Sequence, residues 1–413
     1  MKYGLIGESV SQSFSKEIHE ELGYEYELCS LNREEFASLL KSKNFKGINV
    51  TIPYKEFVLD FLDEKDQSVK LCGCCNCIVN QDSKIVGYNT DYYGFKYLID
   101  FNNIDLKDKN VLILGTGGTS KTVRAVLEEY SPKNVYVASR NKKDLYVSYV
   151  EANMLDINVI INTTPNGMVN RSDDILLYLK NYKHLESVID VIYNPLRTRL
   201  LLQAKENGIN YYNGLLMLVV QAIKAGELFL HKKISLNKTL KIYRTIKKNR
   251  SNVVLIGMPC CGKTKNGRAL AEKLGYSFYD IDKVIEEKAG MSINEIFAKY
   301  GETYFRKLEA DTVLEYSKLP RIVISTGGGV VKSKENMVNL AKNGLIIFLD
   351  RNLDKMTISG KRPLIKSKED YQKLYDERID LYREFCDIEI FNTENVETNV
   401  SSMEEAIYEN SCR

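Results

Sequence analysis

Leu114-Gly115-Thr116-Gly117-Gly118-Thr119-Ser120 follows the apolar run Val111 to Leu114 and opens a stretch, Thr119 to Tyr130, with helical patterning. Glycines at a strand-to-helix turn let backbone N–H groups approach a pyrophosphate, and the helix N-terminus favours negative charge there. A second loop, Gly257-Met258-Pro259-Cys260-Cys261-Gly262-Lys263-Thr264, follows the apolar run Val253 to Ile256. It fits G-x-x-x-x-G-K-[ST], the phosphate-cradling loop of nucleoside-triphosphate folds. The two loops differ in length and chemistry, so they are not copies of one repeat. A chain carrying both is expected to perform redox and phosphoryl-transfer chemistry.

Around the first loop, Asn134–Ala138, Val159–Asn162 and Ser187–Val191 read as strands and Arg197–Asn207 as a helix. That alternation predicts a parallel sheet covered on both faces. Upstream, Lys2–Ile6, Gly47–Thr51, Cys77–Val79 and Ile85–Tyr88 read as strands of a separate lobe. Gly214 to Leu230 has apolar residues at helical spacing and is expected to pack back on it. The expected fold is α/β throughout. Residues 1–100, completed by 214–235, form a substrate lobe, 101–213 a Rossmann-type dinucleotide lobe, 232–250 a connecting segment and 251–413 a P-loop domain with a parallel sheet.

The 413 residues suffice for two or three domains, and 44% hydrophobic with 27% charged residues is ordinary for globular chains. A net charge of +3 implies no nucleic-acid partner. No apolar run approaches the roughly 20 residues of a membrane span. Met1 to Gly7 reads as a first strand and not a leader, which points to the cytoplasm. Residues 232–250 hold eight Lys or Arg and no acid, with Leu236, Leu240, Tyr243 and Ile246 at helical spacing. A solvated connecting helix is expected, ahead of a nucleic-acid or membrane-surface helix. Cys72, Cys74, Cys75 and Cys77 are too tightly spaced for the usual zinc knuckles and read as reduced thiols in or beside a strand.

Lys55 ends the stretch Asn49-Val50-Thr51-Ile52-Pro53-Tyr54-Lys55, and Asp91 ends Gly87-Tyr88-Asn89-Thr90-Asp91. A lysine and an aspartate at strand ends suit a carbonyl that gains a hydride: the amine donates the proton and the carboxylate holds and tunes the amine. Arg140 follows the second strand of the dinucleotide lobe, where a basic residue suits a 2′-phosphate and so NADP over NAD. In the second half the amides of Gly257, Cys260, Cys261 and Gly262 are expected to wrap phosphates. Lys263 reaches the β and γ oxygens and Thr264 ligates Mg2+. Of Asp280 and Asp282, one would serve the metal and the other orient or deprotonate an acceptor hydroxyl. Arg306, the Gly327-Gly328-Gly329 turn, Lys361-Arg362-Pro363-Leu364 and Arg378 are the pieces of a site for a polyol acid, with arginine forks on its carboxylate and a lid over the phosphates.

Residues 1 to about 235 resemble shikimate dehydrogenase. The matching stretches are Ser13-Phe14-Ser15 with His19, Asn49 to Lys55, Asn76, Gly87 to Asp91 and Gly115 to Ser120. Ile161 to Met168, Tyr193-Asn194-Pro195 with Thr198, and Gly214 with Met217 and Gln221 complete the match. The resemblance implies NADP(H)-dependent reduction of 3-dehydroshikimate with Lys55 and Asp91 as the catalytic pair. It implies Ser13 and Ser15 on the substrate carboxylate and Thr51, Asn76, Tyr193 and Gln221 on the ring hydroxyls or carboxylate. Gly115, Gly117, Gly118, Thr119, Arg140, Thr163, Met168 and Gly214 would hold the cofactor. The family usually has His-Ser-x-Ser-Pro where this chain has Gln12-Ser13-Phe14-Ser15-Lys16, and the span from Arg140 to Asn158 is short for a full helix and strand.

Residues 252 to about 395 resemble shikimate kinase, through the P-loop, Asp280-Ile281-Asp282, Phe305-Arg306-Lys307-Leu308-Glu309, the triple glycine, Arg362-Pro363-Leu364 and Arg378-Ile379-Asp380-Leu381-Tyr382. This resemblance implies shikimate on Asp282, Arg306, Gly328 and Arg378, with Asp282 as the base. Lys263, Thr264 and Asp280 would serve ATP and Mg2+, and Arg362 the transferring phosphate. Cys260 replaces a glycine common in this loop, so a positive φ there would weaken ATP binding. Small-molecule substrates, no nucleic acid and no membrane are the expected partners. The sequence leaves the oligomeric state open, a homodimer included.

Overall fold

The computed structural model describes residues 2–140, 146–352, 367–393 and 395–412. The chain divides into two compact units, 1–246 and 247–413.

The first unit holds two sheets. One has the order β2-β1-β3-β5-β6-β4, built from β1 (Tyr3–Gly7), β2 (Glu27–Ser30), β3 (Gly47–Val50), β4 (Glu64–Lys65), β5 (Cys77–Gln81) and β6 (Lys84–Tyr88). It is mixed: β1 pairs in parallel with β2 and β3, whereas β5 runs antiparallel to β3 and β6. The second sheet has the order β11-β10-β9-β7-β8, from β7 (Asn110–Leu114), β8 (Asn134–Ala138), β9 (Val159–Asn162), β10 (Ser187–Asp190) and β11 (Asn210–Asn213). Every ladder in it is parallel. Parallel strands buried on both faces read as continuous apolar runs, as Val111 to Leu114 and Val159 to Ile161 do.

Helix Leu215–Leu230 returns the chain to the first lobe, where Phe229 packs with Tyr3 and Tyr26. Gly214 ahead of it is a close-approach position: a Cβ there would lie 1.9 Å from the Val191 carbonyl oxygen. In the following helix, Leu236–Arg250, Thr239, Ile242 and Ile246 are buried while Lys238, Lys241, Arg244 and Lys248 are exposed or half-buried. The stretch is therefore an amphipathic helix whose apolar stripe joins the cluster around Leu215 and Val219. His19 is fully buried against Tyr26, and burial pushes its imidazole down to about 3, so it sits there neutral.

The second unit carries one all-parallel sheet, order β13-β14-β12-β15-β16, from β12 (Asn252–Ile256), β13 (Ser277–Asp280), β14 (Ile322–Ser325), β15 (Gly344–Asp350) and β16 (Ile388–Phe391). The last stretch of chain forms helix Val396–Cys412, held by buried Val400 and Met403. Among the described residues, no helix is long and apolar enough to cross a membrane.

Candidate active sites

Lys55 follows β3, and Asp91 lies in the first turn of helix Thr90–Phe101. Asn89 caps that helix, its side chain accepting from the Tyr92 N–H. The Lys55 ammonium donates to Asp91 Oδ2 at 2.5 Å and to the Thr119 hydroxyl at 3.4 Å. Burial opposes the charge on Lys55 and the Asp91 carboxylate favours it; the balance holds the ammonium above the ordinary lysine value. The pair is nearly dry, with side chains 13% and 11% exposed, so it is more than a solvated surface contact.

Other candidate residues gather nearby. Ser13 Oγ donates to Ser15 Oγ at 3.0 Å. The Tyr193 hydroxyl feels Ser13 and Lys55, yet burial dominates and raises its pKa, keeping it a donor. Asn76 Nδ2 donates to Thr90 Oγ1 at 3.0 Å and to Gln221 Oε1 at 3.4 Å, and Thr90 Oγ1 bonds Gln221 Oε1 at 3.2 Å. Thr51 is half-buried just past β3, four residues before Lys55. Thr90, the hub of the amide pair, was not among the expected site residues. Its only sequence signal is its place between Asn89 and Asp91.

The cysteine cluster packs behind this site. Cys72, Cys74, Cys75 and Cys77 are buried, and burial pushes the Cys72 and Cys75 thiols up to about 12. Cys75 N–H donates to Lys55 O at 2.8 Å, and Cys74 Sγ donates to Gly118 O at 3.3 Å. The Cys75 amide thus holds the Lys55 backbone while the Cys74 thiol reaches the glycine loop.

In that loop Gly115 has φ +102, next to Thr163 and Thr164; a Cβ there would come within 2.9 Å of Thr164 Cγ2. Gly117 faces open space, and Gly118 starts helix Gly118–Leu127. Such a turn offers the close backbone approach that a pyrophosphate needs. Met168 is 36% exposed. Arg140 is exposed just past β8, and residues 141–145 lie outside the described residues. Between Val147 and β9 there is only the short helix Tyr149–Ala152.

In the second unit the P-loop joins β12 to helix Lys263–Leu274. Lys263 Nζ donates to Gly257 O and Met258 O, both at 2.8 Å. Thr264 Oγ1 donates to Asp280 Oδ2 at 2.6 Å, joining the two expected metal-site residues. Buried asparagines, unforeseen in the sequence, hold the loop from beneath. Asn392 Nδ2 donates to Cys261 O at 2.6 Å and Asn266 Nδ2 to Gly262 O at 2.9 Å, while Asn399 bonds both asparagines.

The expected acceptor residues surround the triple-glycine turn. A Cβ on Gly327 would lie 2.7 Å from Asp282 Oδ1, and one on Gly329 2.4 Å from Arg306 Nη2. Arg378 Nη1 donates to Gly328 O at 3.1 Å, and the Tyr382 hydroxyl to the same oxygen at 2.5 Å. Arg306 is paired with Glu302 and Glu309, both at 2.9 Å. Arg362 lies outside the described residues.

Cys260 has φ 63, the left-handed region that costs a non-glycine residue about 1–2 kcal/mol. Cys260→Gly is expected to raise the thermal midpoint of the second unit and tighten ATP binding. Cys260→Val should do the reverse, because a β-branched residue tolerates that φ worst. Differential scanning calorimetry with ATP titrations checks this, and the opposite order would contradict the strain reading.

The shikimate dehydrogenase (NADP(+)) of Clostridium perfringens strain 13 is 35% identical over 265 residues, 59% of this chain and 98% of its own length. This chain belongs to the shikimate dehydrogenase family. The family's substrate-binding domain model matches residues 5–78, and the shikimate kinase model matches residues 259–408. Shikimate dehydrogenase 1 from Peptoclostridium difficile has a similar solved structure, with TM-score 0.57 and 31% identity over 60% of this chain and 98% of that one. The shikimate 5-dehydrogenase of Thermus thermophilus, solved with NADP(H) and shikimate, has TM-score 0.53 and 27% identity, covering 59% of this chain and 99% of that one. The chain therefore joins a shikimate dehydrogenase and a shikimate kinase in one bifunctional enzyme of the shikimate pathway.

Proposed function

We propose that the first unit reduces 3-dehydroshikimate to shikimate with NADPH, and that the second phosphorylates the 3-hydroxyl of shikimate with Mg-ATP. The observation that carries this reading is the nearly dry Lys55–Asp91 pair, ringed by hydroxyls and amides, in a chain that also bears a shikimate kinase domain. The product of one site is then the substrate of the other.

NADPH, when bound, supplies the hydride; Gly115, Gly117, Gly118, Thr119, Arg140, Thr163 and Met168 are the residues to hold it. Lys55 holds the proton that the carbonyl oxygen gains, and Asp91 keeps it there by favouring the ammonium. Ser13, Ser15 and Tyr193 donate hydrogen bonds to the substrate carboxylate, and Thr51, Asn76, Thr90 and Gln221 orient the ring hydroxyls. In the kinase, ATP supplies the phosphoryl group and Mg2+ neutralises its charge. The P-loop amides and Lys263 would hold the phosphates, Thr264 and Asp280 would hold the metal, and the resemblance gives Arg362 to the transferring phosphate. Asp282 takes the hydroxyl proton, while Arg306, Gly328 and Arg378 place the acid.

The test is a mass-spectrometric product assay with 3-dehydroshikimate, NADPH and Mg-ATP. Shikimate 3-phosphate is the expected product. Shikimate alone would remove the kinase half, and turnover of quinate at the expense of shikimate would change the substrate.

A further inference from the structure

Asp190 is the last residue of β10 and is 0% exposed. Its Oδ1 accepts from Asn162 Nδ2 and from the Ile192 N–H, both at 3.0 Å, and its Oδ2 accepts from Thr198 Oγ1 at 2.6 Å. Two of these partners, Asn162 and Thr198, lead to the loop Thr163 to Met168. Asn162 Oδ1 accepts from Thr164 N–H at 3.0 Å and from Thr164 Oγ1 at 2.7 Å, and Thr164 Oγ1 accepts from Asn166 N–H at 3.3 Å. Thr198 presses on the far end of the loop, its Cβ 3.1 Å from where a Gly167 Cβ would be. The near end, Thr163 and Thr164, is the wall facing Gly115.

We infer that Asp190 is a positioning residue for dinucleotide affinity: through Asn162 and Thr198 it sets the loop Thr163–Met168 against the glycine turn at Gly115. The inference rests on the reading that these two loops hold NADP(H). A carboxylate in this place accepts three hydrogen bonds and donates none, so all its donors are committed in direction. Ionised, it makes the charge-assisted bonds that fix them best.

Among the described residues, no cation is paired with this carboxylate. Its bonded partners and its strand neighbours, Asn162 on β9 and Asn213 on β11, are uncharged. Tyr211 and Tyr212 lie on β11, Arg197 lies in the segment after β10, and Arg199 pairs with Asp173 at 3.3 Å. Burial pushes the Asp190 carboxyl up to about 7, near neutrality, where tyrosine and arginine side chains ordinarily do not titrate.

Asp190→Asn keeps the geometry without the charge. Its amide oxygen serves Asn162 and Ile192, and its NH2 donates to the Thr198 hydroxyl. Asp190→Ala removes the acceptor altogether. The experiment titrates NADPH into the full chain by nucleotide fluorescence between about pH 6 and pH 8.5, a window spanning neutrality. Because the nucleotide's own 2′-phosphate titrates, the readout is the difference between profiles.

The wild-type Kd is expected to weaken about fivefold more than that of Asp190→Asn as the pH falls, the variant already holding the low-pH affinity at pH 8.5. Asp190→Ala should be weaker still at every pH. Superimposable wild-type and Asp190→Asn profiles would overturn the inference, as would a variant that only lowers the melting temperature of the first unit. That comparison decides even if Asp190→Ala does not fold. Failure of the wild type to bind NADPH would sink the cofactor reading itself, and this inference with it.

Discussion

Lys55→Ala is expected to lower dehydroshikimate reduction by about a thousandfold, the usual scale for losing a positioned general acid. Shikimate phosphorylation by the same protein should continue at its full rate. The lysine sits where the loss cannot be made good: its ammonium is nearly dry, bonded to Asp91 and Thr119, and no other cation is bonded to Asp91 among the described residues. Removing it leaves a buried carboxylate without a counter-ion, so a thermal melt must accompany the rate. Asp91→Asn separates the roles. Without the carboxylate, burial remains the largest influence on Lys55 and pushes its pKa down. Since reduction needs the ammonium form, the alkaline fall of its pH–rate profile should move to lower pH. Both rates, measured by NADPH oxidation and by ADP release, check the assignment. Retention of reduction in Lys55→Ala would remove the lysine from the chemistry, and loss of both activities would mean that the sites are not independent.

Lys263→Ala should act in mirror image, with phosphorylation down by about a thousandfold and reduction unchanged. Lys263 is 7% exposed and donates to Gly257 O and Met258 O within its own loop, so it has a short path to phosphates cradled by the same backbone. The substitution also takes that donor from both carbonyls, Met258 O keeping only the Cys261 N–H at 3.3 Å. Lys263→Arg therefore serves as a second variant: it keeps the positive charge but replaces a compact ammonium with a planar fork. A kinase defect in both variants, with unchanged melting of the second unit, assigns the effect to the ammonium's position. A normal rate in Lys263→Ala would place the phosphate site elsewhere.

Much of this was legible along the chain because the decisive chemistry is local. A glycine-rich strand-to-helix turn needs only a handful of consecutive residues, so both phosphate loops declare themselves. The strands beside them are buried on both faces and read as apolar runs. Of the strands not expected from the sequence, β2, β4, β11 and β16 are at sheet edges and β15 lies inside its sheet. β2 is Glu-Leu-Cys-Ser and β11 is Asn-Tyr-Tyr-Asn, each fully or partly exposed, and each is a strand because β1 or β10 offers it a parallel partner.

The sequence by itself determined two α/β units and the glycine-rich strand-to-helix turn in each, since these are written in short contiguous patterns. Only the tertiary structure decided which distant groups meet. It set Thr90 beside Gln221, 131 positions away, and Asn392 beneath Cys261, likewise 131 positions away. It turned Asp190 from an aspartate at a strand end into a buried acceptor of three hydrogen bonds. It also gave Cys260 the left-handed φ that makes its side chain costly. The physical reason is the same in each case: burial and hydrogen-bond partnership belong to packing, and packing joins residues without regard to their separation along the chain.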